Sequence, residues 1–194
     1  MTSLVDELAD ALEQVLPAVS RNKKHPAAMH CVLVERAGDI ARVVATDTYR
    51  LVVSERPWPD DLEITRVLLD PATLAAATGV ADEFPDYARL LVAADGASST
   101  ATVDAAELLE AVEEATDDDG PLAVELREGR VLVGTAASTP TVHVDPRYLH
   151  DAIEAVMATD CDFVVEATTE TAPLALRGAD VLTLLMPVRV RAGR

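Results

Sequence analysis

Apolar residues recur at helical spacing behind three aspartates. Asp70-Pro71-Ala72-Thr73-Leu74 is followed by Ala77, Asp104-Ala105-Ala106-Glu107-Leu108 by Ala111, and Asp145-Pro146-Arg147-Tyr148-Leu149 by Ala152. Leu and Ala at that spacing share one face of an α-helix. The aspartate ahead of them suits an N-cap, where a carboxylate accepts from exposed backbone N–H groups. Proline at the first helical position, present in two of the three, fits the same role. An apolar residue, Leu69, Val103 or Val144, stands just before each aspartate. The pattern predicts a helix after each of them. A fourth helix is expected over Leu4–Leu16, where Leu8 and Ala11 hold the matching offset without an aspartate cap. The aspartates lie 34 and 41 positions apart, room for a helix and two or three short strands per unit.

Strand patterns fill the intervals. Cys31–Glu35 and Ala41–Thr46 read as a hairpin around Ala37-Gly38-Asp39, followed by a strand at Arg50–Ser54. Leu122–Leu126 pairs with Arg130–Gly134 across Arg127-Glu128-Gly129. Further strands are expected at Phe163–Ala167, Ala172–Leu176 and Leu182–Val190. Helices interspersed with Val- and Leu-rich strands imply an α+β fold with antiparallel sheets. Nothing periodic crosses Phe84-Pro85-Asp86-Tyr87, which sets the expected division into residues 1–85, abbreviated, and 86–194, a full pair of repeats.

Composition narrows the function. Of 194 residues, 49% are hydrophobic, 34 are acidic and 16 are Lys or Arg, a net charge of −18. Such a charge argues against indiscriminate nucleic-acid binding. No apolar run approaches the ~18–20 residues that span a bilayer, and Met1–Ala11 carries acids without Lys or Arg, unlike a signal or transit peptide. The two cysteines, Cys31 and Cys161, form neither a disulfide framework nor a zinc motif. A soluble cytoplasmic protein is expected, without a membrane partner.

The chemistry-bearing residues form no recognisable catalytic pattern. His25, His30, His143 and His150 stand neither at i, i+4 with another histidine nor with an acid in a metal-ligand pattern, so no metal is expected. His30 and Cys31 are neighbours at a strand start and should face opposite ways, which spoils a Cys–His pair. Asp117-Asp118-Asp119-Gly120 offers consecutive rather than alternating oxygens and reads as a solvated helix end. The eight glycines are scattered singly, and GxSxG is absent. No enzyme and no cofactor are expected. Arg21-Asn22-Lys23-Lys24-His25, and Arg189, Arg191 and Arg194, form local basic clusters. They serve either solubility and helix-dipole compensation or sequence-independent phosphate contact.

Several stretches together resemble one family. Ala18-Val19-Ser20-Arg21 leads through Pro26 to Val32-Leu33-Val34-Glu35 and then to Val43-Val44-Ala45-Thr46-Asp47-Thr48-Tyr49-Arg50-Leu51. Phe84-Pro85-Asp86-Tyr87 follows, then Val144-Asp145-Pro146-Arg147-Tyr148-Leu149 and Leu185-Met186-Pro187-Val188-Arg189-Val190. In that order they resemble the second and third domains of the bacterial DNA sliding clamp, the beta subunit of the replicative DNA polymerase. The Ala-Thr-Asp-x-x-Arg-Leu stretch and the Met-Pro-x-Arg ending are the most family-specific.

The resemblance implies sliding-clamp-like repeats of a helix packed on antiparallel strands, lacking the family's first domain and part of its second. It implies a polymerase processivity factor that encircles duplex DNA as a homo-oligomer. It also implies an apolar cleft for clamp-motif peptides of a DNA polymerase or other proteins, lined by Thr46, Thr48, Tyr49, Arg50, Leu51, Leu184, Leu185, Met186, Pro187 and Val188. DNA contacts fall to Arg21, Lys23, Lys24 and Arg147. The sequence departs from the family at Thr48-Tyr49, where Gly-His is common, so that Tyr49 narrows the pocket, and in an added Arg191-Ala192-Gly193-Arg194. It departs most in its helices, whose acids would repel phosphates. The alternative reading is therefore a clamp-derived interaction or regulatory module that does not encircle DNA.

Overall fold

The computed structural model describes residues 4–59, 64–80, 83–94, 96–116, 120–134, 141–157 and 162–190. The chain divides into two compact units, Met1–Tyr87 and Ala88–Arg194. No helix among the described residues is long and apolar enough to cross a membrane.

The first unit opens with a short helix, α1 (Leu4–Glu7), and a second, α2 (Ala9–Val15), which a 3-10 turn over Leu16–Ala18 continues. Leu8 interrupts the helix, yet its carbonyl still accepts from the Leu12 N–H at 2.8 Å. Four strands follow: β1 (Val32–Ala37), β2 (Ile40–Thr46), β3 (Arg50–Pro57) and β4 (Arg66–Leu69). They form an antiparallel array in the order β4-β1-β2-β3. The β1–β2 turn is Gly38-Asp39, and Gly38 adopts φ 68°, a left-handed conformation that glycine enters without a Cβ clash. Leu8, Leu12 and Val15, each at most 1% exposed, pack α2 onto β2 and β3. Burying each such side chain is worth about 1.5–3 kcal/mol. One polar group anchors the same face: the buried Gln14 Oε1 accepts from Ser54 Oγ at 2.7 Å and from Arg56 Nη2 at 3.2 Å.

The second unit contains α3 (Ala88–Ala94), β5 (Ser99–Asp104), α4 (Ala105–Ala115), β6 (Leu122–Arg127), β7 (Arg130–Gly134), β8 (Thr141–Val144), α5 (Pro146–Met157), β9 (Asp162–Ala167), β10 (Leu174–Arg177) and β11 (Val181–Leu185). It holds two copies of one plan, a strand, a capped helix and a strand meander. Each first strand pairs outside its own copy. β5 runs antiparallel to β9 from Ser99↔Ala167 to Asp104↔Asp162, whereas β8 pairs β6 from Leu122↔Val144 to Glu125↔Thr141. The exchange stitches the copies together. The β6–β7 turn places Glu128 (φ 52°) and Gly129 (φ 75°) in the left-handed region, the twist that a two-residue hairpin requires.

Both helix caps expected here form. The Asp104 carboxylate accepts from the Glu107 N–H at 2.9 Å, and that of Asp145 from the Arg147 N–H at 3.0 Å. The Arg147 guanidinium first, and then the Arg147 and Tyr148 backbone N–H groups, hold the Asp145 carboxyl below its ordinary range. Leu108, Leu149 and Ala152 are buried as their spacing predicts. α4 lies against β5 and β7, α5 against β10 and β11, and the helices pack on each other.

The helix expected after Asp70 does not form. Asp70 does accept from the Ala72 and Thr73 N–H groups, at 2.9 and 3.0 Å, as a cap would. Only one turn follows. Thr73 Oγ1 turns back to the Asp70 carboxylate, Leu74 enters the left-handed region at φ 53°, and Ala76 returns to bridge Leu69. None of Pro71–Val80 is buried, so a longer helix would have no apolar face to cover. The expected strand Leu182–Val190 is also shorter: pairing ends at Leu185, one residue before Met186-Pro187. Proline lacks an N–H for a ladder. The structure adds α3, β4, β5 and β8 to the elements that the pattern predicts. For the three strands the apolar residue before each aspartate is the visible trace, since Leu69, Val103 and Val144 lie at or beside the ends of β4, β5 and β8.

Candidate functional site

The residues expected to line a cleft divide between the two units. In the first, Thr46-Asp47-Thr48-Tyr49-Arg50-Leu51 makes the tight β2–β3 connection, and its side chains determine the shape. Asp47 Oδ1 accepts from the N–H groups of Tyr49 and Arg50, both at 3.0 Å. Thr46 Oγ1 donates to the Arg50 carbonyl at 2.7 Å and accepts from the Thr48 N–H at 3.3 Å. Arg50, 8% exposed as a residue, pairs its guanidinium with Asp47 at 3.2 Å and donates to the Pro17 carbonyl. That contact ties the connection to the end of the α2 segment. Removing either partner would strand a buried charge, which is why Asp and Arg at this spacing form a structural unit.

The result is a rigid turn with an apolar base and an exposed tip. Leu51 is fully buried, and Tyr49 is 55% exposed. Thr48 sits at φ 78°, a region that costs a β-branched residue on the order of 1–3 kcal/mol. Glycine would adopt it without that penalty.

In the second unit, Leu184 and Leu185 are buried at the end of β11. Met186 and Pro187 are half-buried and Val188 is exposed. A backbone bond from the Val188 N–H to the His143 carbonyl at 2.7 Å holds this segment after pairing ends, and its side chains emerge progressively towards solvent.

The basic residues are placed unequally. Arg21, Lys23 and Lys24 are exposed on a loop after the 3-10 turn. The loop is ordered by Ser20 Oγ, which accepts from the Asn22 N–H at 3.2 Å and meets His25 Nδ1 at 2.8 Å, and by Asn22 Oδ1, which accepts from the Lys24 N–H at 3.1 Å. Arg147 is also exposed, but Asp145 lies 2.8 Å from its guanidinium and offsets its charge. The helices are acidic. Glu107, Glu110, Glu113 and Glu114 are exposed on α4, which contains no Lys or Arg.

The remaining candidates resolve differently. His30 Nδ1 bonds the Ser20 carbonyl at 2.7 Å, while the neighbouring Cys31 is buried. Burial, followed by the nearby Asp70 charge, pushes the Cys31 thiol pKa up, which disfavours the reactive thiolate. Asp117–Asp119 and Cys161 lie outside the described residues. One expectation is corrected: a histidine does stand with an acid at metal-ligand spacing. α5 sets His150 and Glu154 one turn apart, with 3.6 Å between Nδ1 and Oε2, and Asp151 beside them. The i, i+4 spacing was legible in the sequence.

Two capped helices over antiparallel meanders, with first strands exchanged, define an α+β clamp-type architecture. Comparison with known structures agrees. The chain is similar to the DNA polymerase sliding clamp of Caulobacter crescentus with a TM-score of 0.80 at 18% identity, covering 98% of this chain and 68% of that one. It is similar to the Bacillus subtilis clamp with a TM-score of 0.77 at 16% identity, over 96% and 63%. The Helicobacter pylori beta clamp bound to a DNA ligase peptide matches with a TM-score of 0.75 at 16% identity, over 94% and 63%. The chain therefore has the sliding-clamp fold and spans a little under two thirds of the length of most of these clamps. No protein-family model and no curated protein sequence matches it.

Proposed function

We propose that this protein is a sliding-clamp-like processivity factor, a binding protein rather than an enzyme. It docks clamp-motif peptides of a DNA polymerase or other partners and encircles duplex DNA as a homo-oligomer in the cytoplasm. Peptide docking falls to Thr46, Thr48, Tyr49, Arg50 and Leu51 of the first unit and to Leu184, Leu185, Met186, Pro187 and Val188 of the second. Arg21, Lys23 and Lys24, with Arg147 contributing less, meet the phosphates. The two units correspond to clamp domains, the first abbreviated.

The observation that best supports this reading is the β2–β3 connection. It spends a buried ion pair, four local hydrogen bonds and a strained Thr48 on holding an exposed aromatic beside a buried leucine. An apolar anchor with polar groups at its rim suits a short peptide. The test is binding of a fluorescent clamp-motif peptide. Met186→Lys should abolish binding while the far-UV spectrum is unchanged, and unaltered affinity would remove these residues from consideration.

A second reading is favoured by the four exposed glutamates of α4: a clamp-derived interaction module that binds peptides without threading DNA. Like charges at close range cost about 1 kcal/mol per pair in water and are screened beyond ~8–10 Å. Light scattering with and without circular duplex DNA separates the readings. An oligomer retained on circular DNA, and weakened by replacing Arg21, Lys23 and Lys24 with Ala, supports encirclement. A monomer that ignores DNA at low salt supports the module.

A further inference from the structure

His150 lies between carboxylates of two helices. Glu113 on α4 is 3.9 Å from its Nε2, and Glu154 on α5 is 3.6 Å from its Nδ1. One ligand atom each from His150, Asp151 and Glu154 lie within 4.8 Å of one another. At 3.9 and 3.6 Å neither carboxylate contact is a hydrogen bond, and a neutral imidazole keeps one lone pair that can bind a metal ion and one N–H at the opposite nitrogen. The lone pair binds the ion, and the opposite N–H turns to a carboxylate, the arrangement that orients most metal-bound histidines.

The distances suit a small ion. Ligands at ~2.0–2.1 Å around a tetrahedral ion are about 3.3 Å apart, close to the 3.6 Å between His150 and Glu154. Asp151, whose ligand atom lies within 4.8 Å of those two, supplies the third ligand. A cleft of about 360 Å³ adjoins the cluster, bounded by Val112, Thr116, Pro146 and Arg147 with Glu113, His150 and Asp151; the Arg147 guanidinium is paired with Asp145 at 2.8 Å. The cleft leaves room for a water molecule at a fourth position.

We propose that His150, Asp151 and Glu154 bind a divalent transition-metal ion such as Zn²⁺ on the α4–α5 face, with Glu113 orienting the imidazole. Imidazole with carboxylates selects such ions over Mg²⁺, which prefers an all-oxygen shell. The site is independent of peptide docking and of DNA encirclement.

The test titrates the full chain with Co²⁺ in excess Mg²⁺, following the visible d–d absorption, and then displaces Co²⁺ with Zn²⁺. One saturable ion per chain is expected. His150→Gln should remove that step with the far-UV spectrum intact, and Glu154→Gln should do the same should the first variant fold poorly. Glu113→Gln should weaken binding about 10–100-fold, as loss of an outer carboxylate does. No absorption change, equal competition by Mg²⁺, or undiminished binding by His150→Gln and Glu154→Gln would each overturn the assignment.

Discussion

The segments after Asp70 and after Asp145 share a cap, a proline at the next position, and Leu and Ala at the same offsets, yet one makes a single turn and the other a twelve-residue helix. Their first hydrogen bonds are alike. What differs is the face beyond the cap. α5 buries Leu149, Ala152, Ile153, Ala155 and Val156 against β10, β11 and α4, whereas nothing from Pro71 to Val80 is buried. A cap satisfies donors that any first turn leaves open, but propagation needs apolar area to cover. The Asp70 segment also contains Thr73, whose hydroxyl accepts from the Ala75 N–H at 3.4 Å and so competes with a helical bond.

That contrast can be broken at several points. The largest effect is expected at the buried leucine: Leu149→Ala should cost about 2–5 kcal/mol in urea denaturation, and Leu74→Ala should stay within about 0.5 kcal/mol. Equal losses would show that the Asp70 turn carries a core of its own.

Next come the caps. Asp104→Ala should cost about 1 kcal/mol. The Asp145 carboxyl titrates lower in the folded protein than in the unfolded chain. Its stabilising contribution is therefore complete above the unfolded value of about 3.9 and is lost as pH falls through the lower folded value. Asp145→Asn should remove that part of the acid limb in a pH-dependent stability profile, and an unaltered limb would contradict the bonds assigned to it.

The smallest effect sharpens the comparison most. Thr73→Glu gives the Asp70 segment the Asp-x-x-Glu box that opens α4 and removes the competing hydroxyl. Far-UV ellipticity should not change, because no face is available to bury. A gain of one or two helical turns would mean that local sequence decides after all.

The two candidate docking segments were legible to different depths. The Thr46–Leu51 connection carries its geometry in its own side chains, so the sequence pattern and the structure coincide there. The C-terminal segment has no such local code. An apolar run from Leu182 to Val190 reads as one strand, and only the sheet shows that pairing stops at Leu185 and that a bond to His143 holds the rest. His150 illustrates a third case. Its spacing from Glu154 was visible along the chain, but Glu113 joins from 37 positions away through the packing of two helices.

Local chemistry alone, written in order along the chain, determined the caps at Asp104 and Asp145, the Gly38 and Gly129 hairpins, the α+β class and the acidic character of α4. Hydrogen bonds over three or four residues and side-chain periodicity suffice for these. Tertiary structure decided which aspartate was followed by a helix, that β5 and β8 exchange sheets, and that Glu113 of α4 meets His150 of α5. Each of those outcomes depends on apolar area or charge contributed by residues distant in sequence, and periodicity along one segment carries no information about what another segment brings to it.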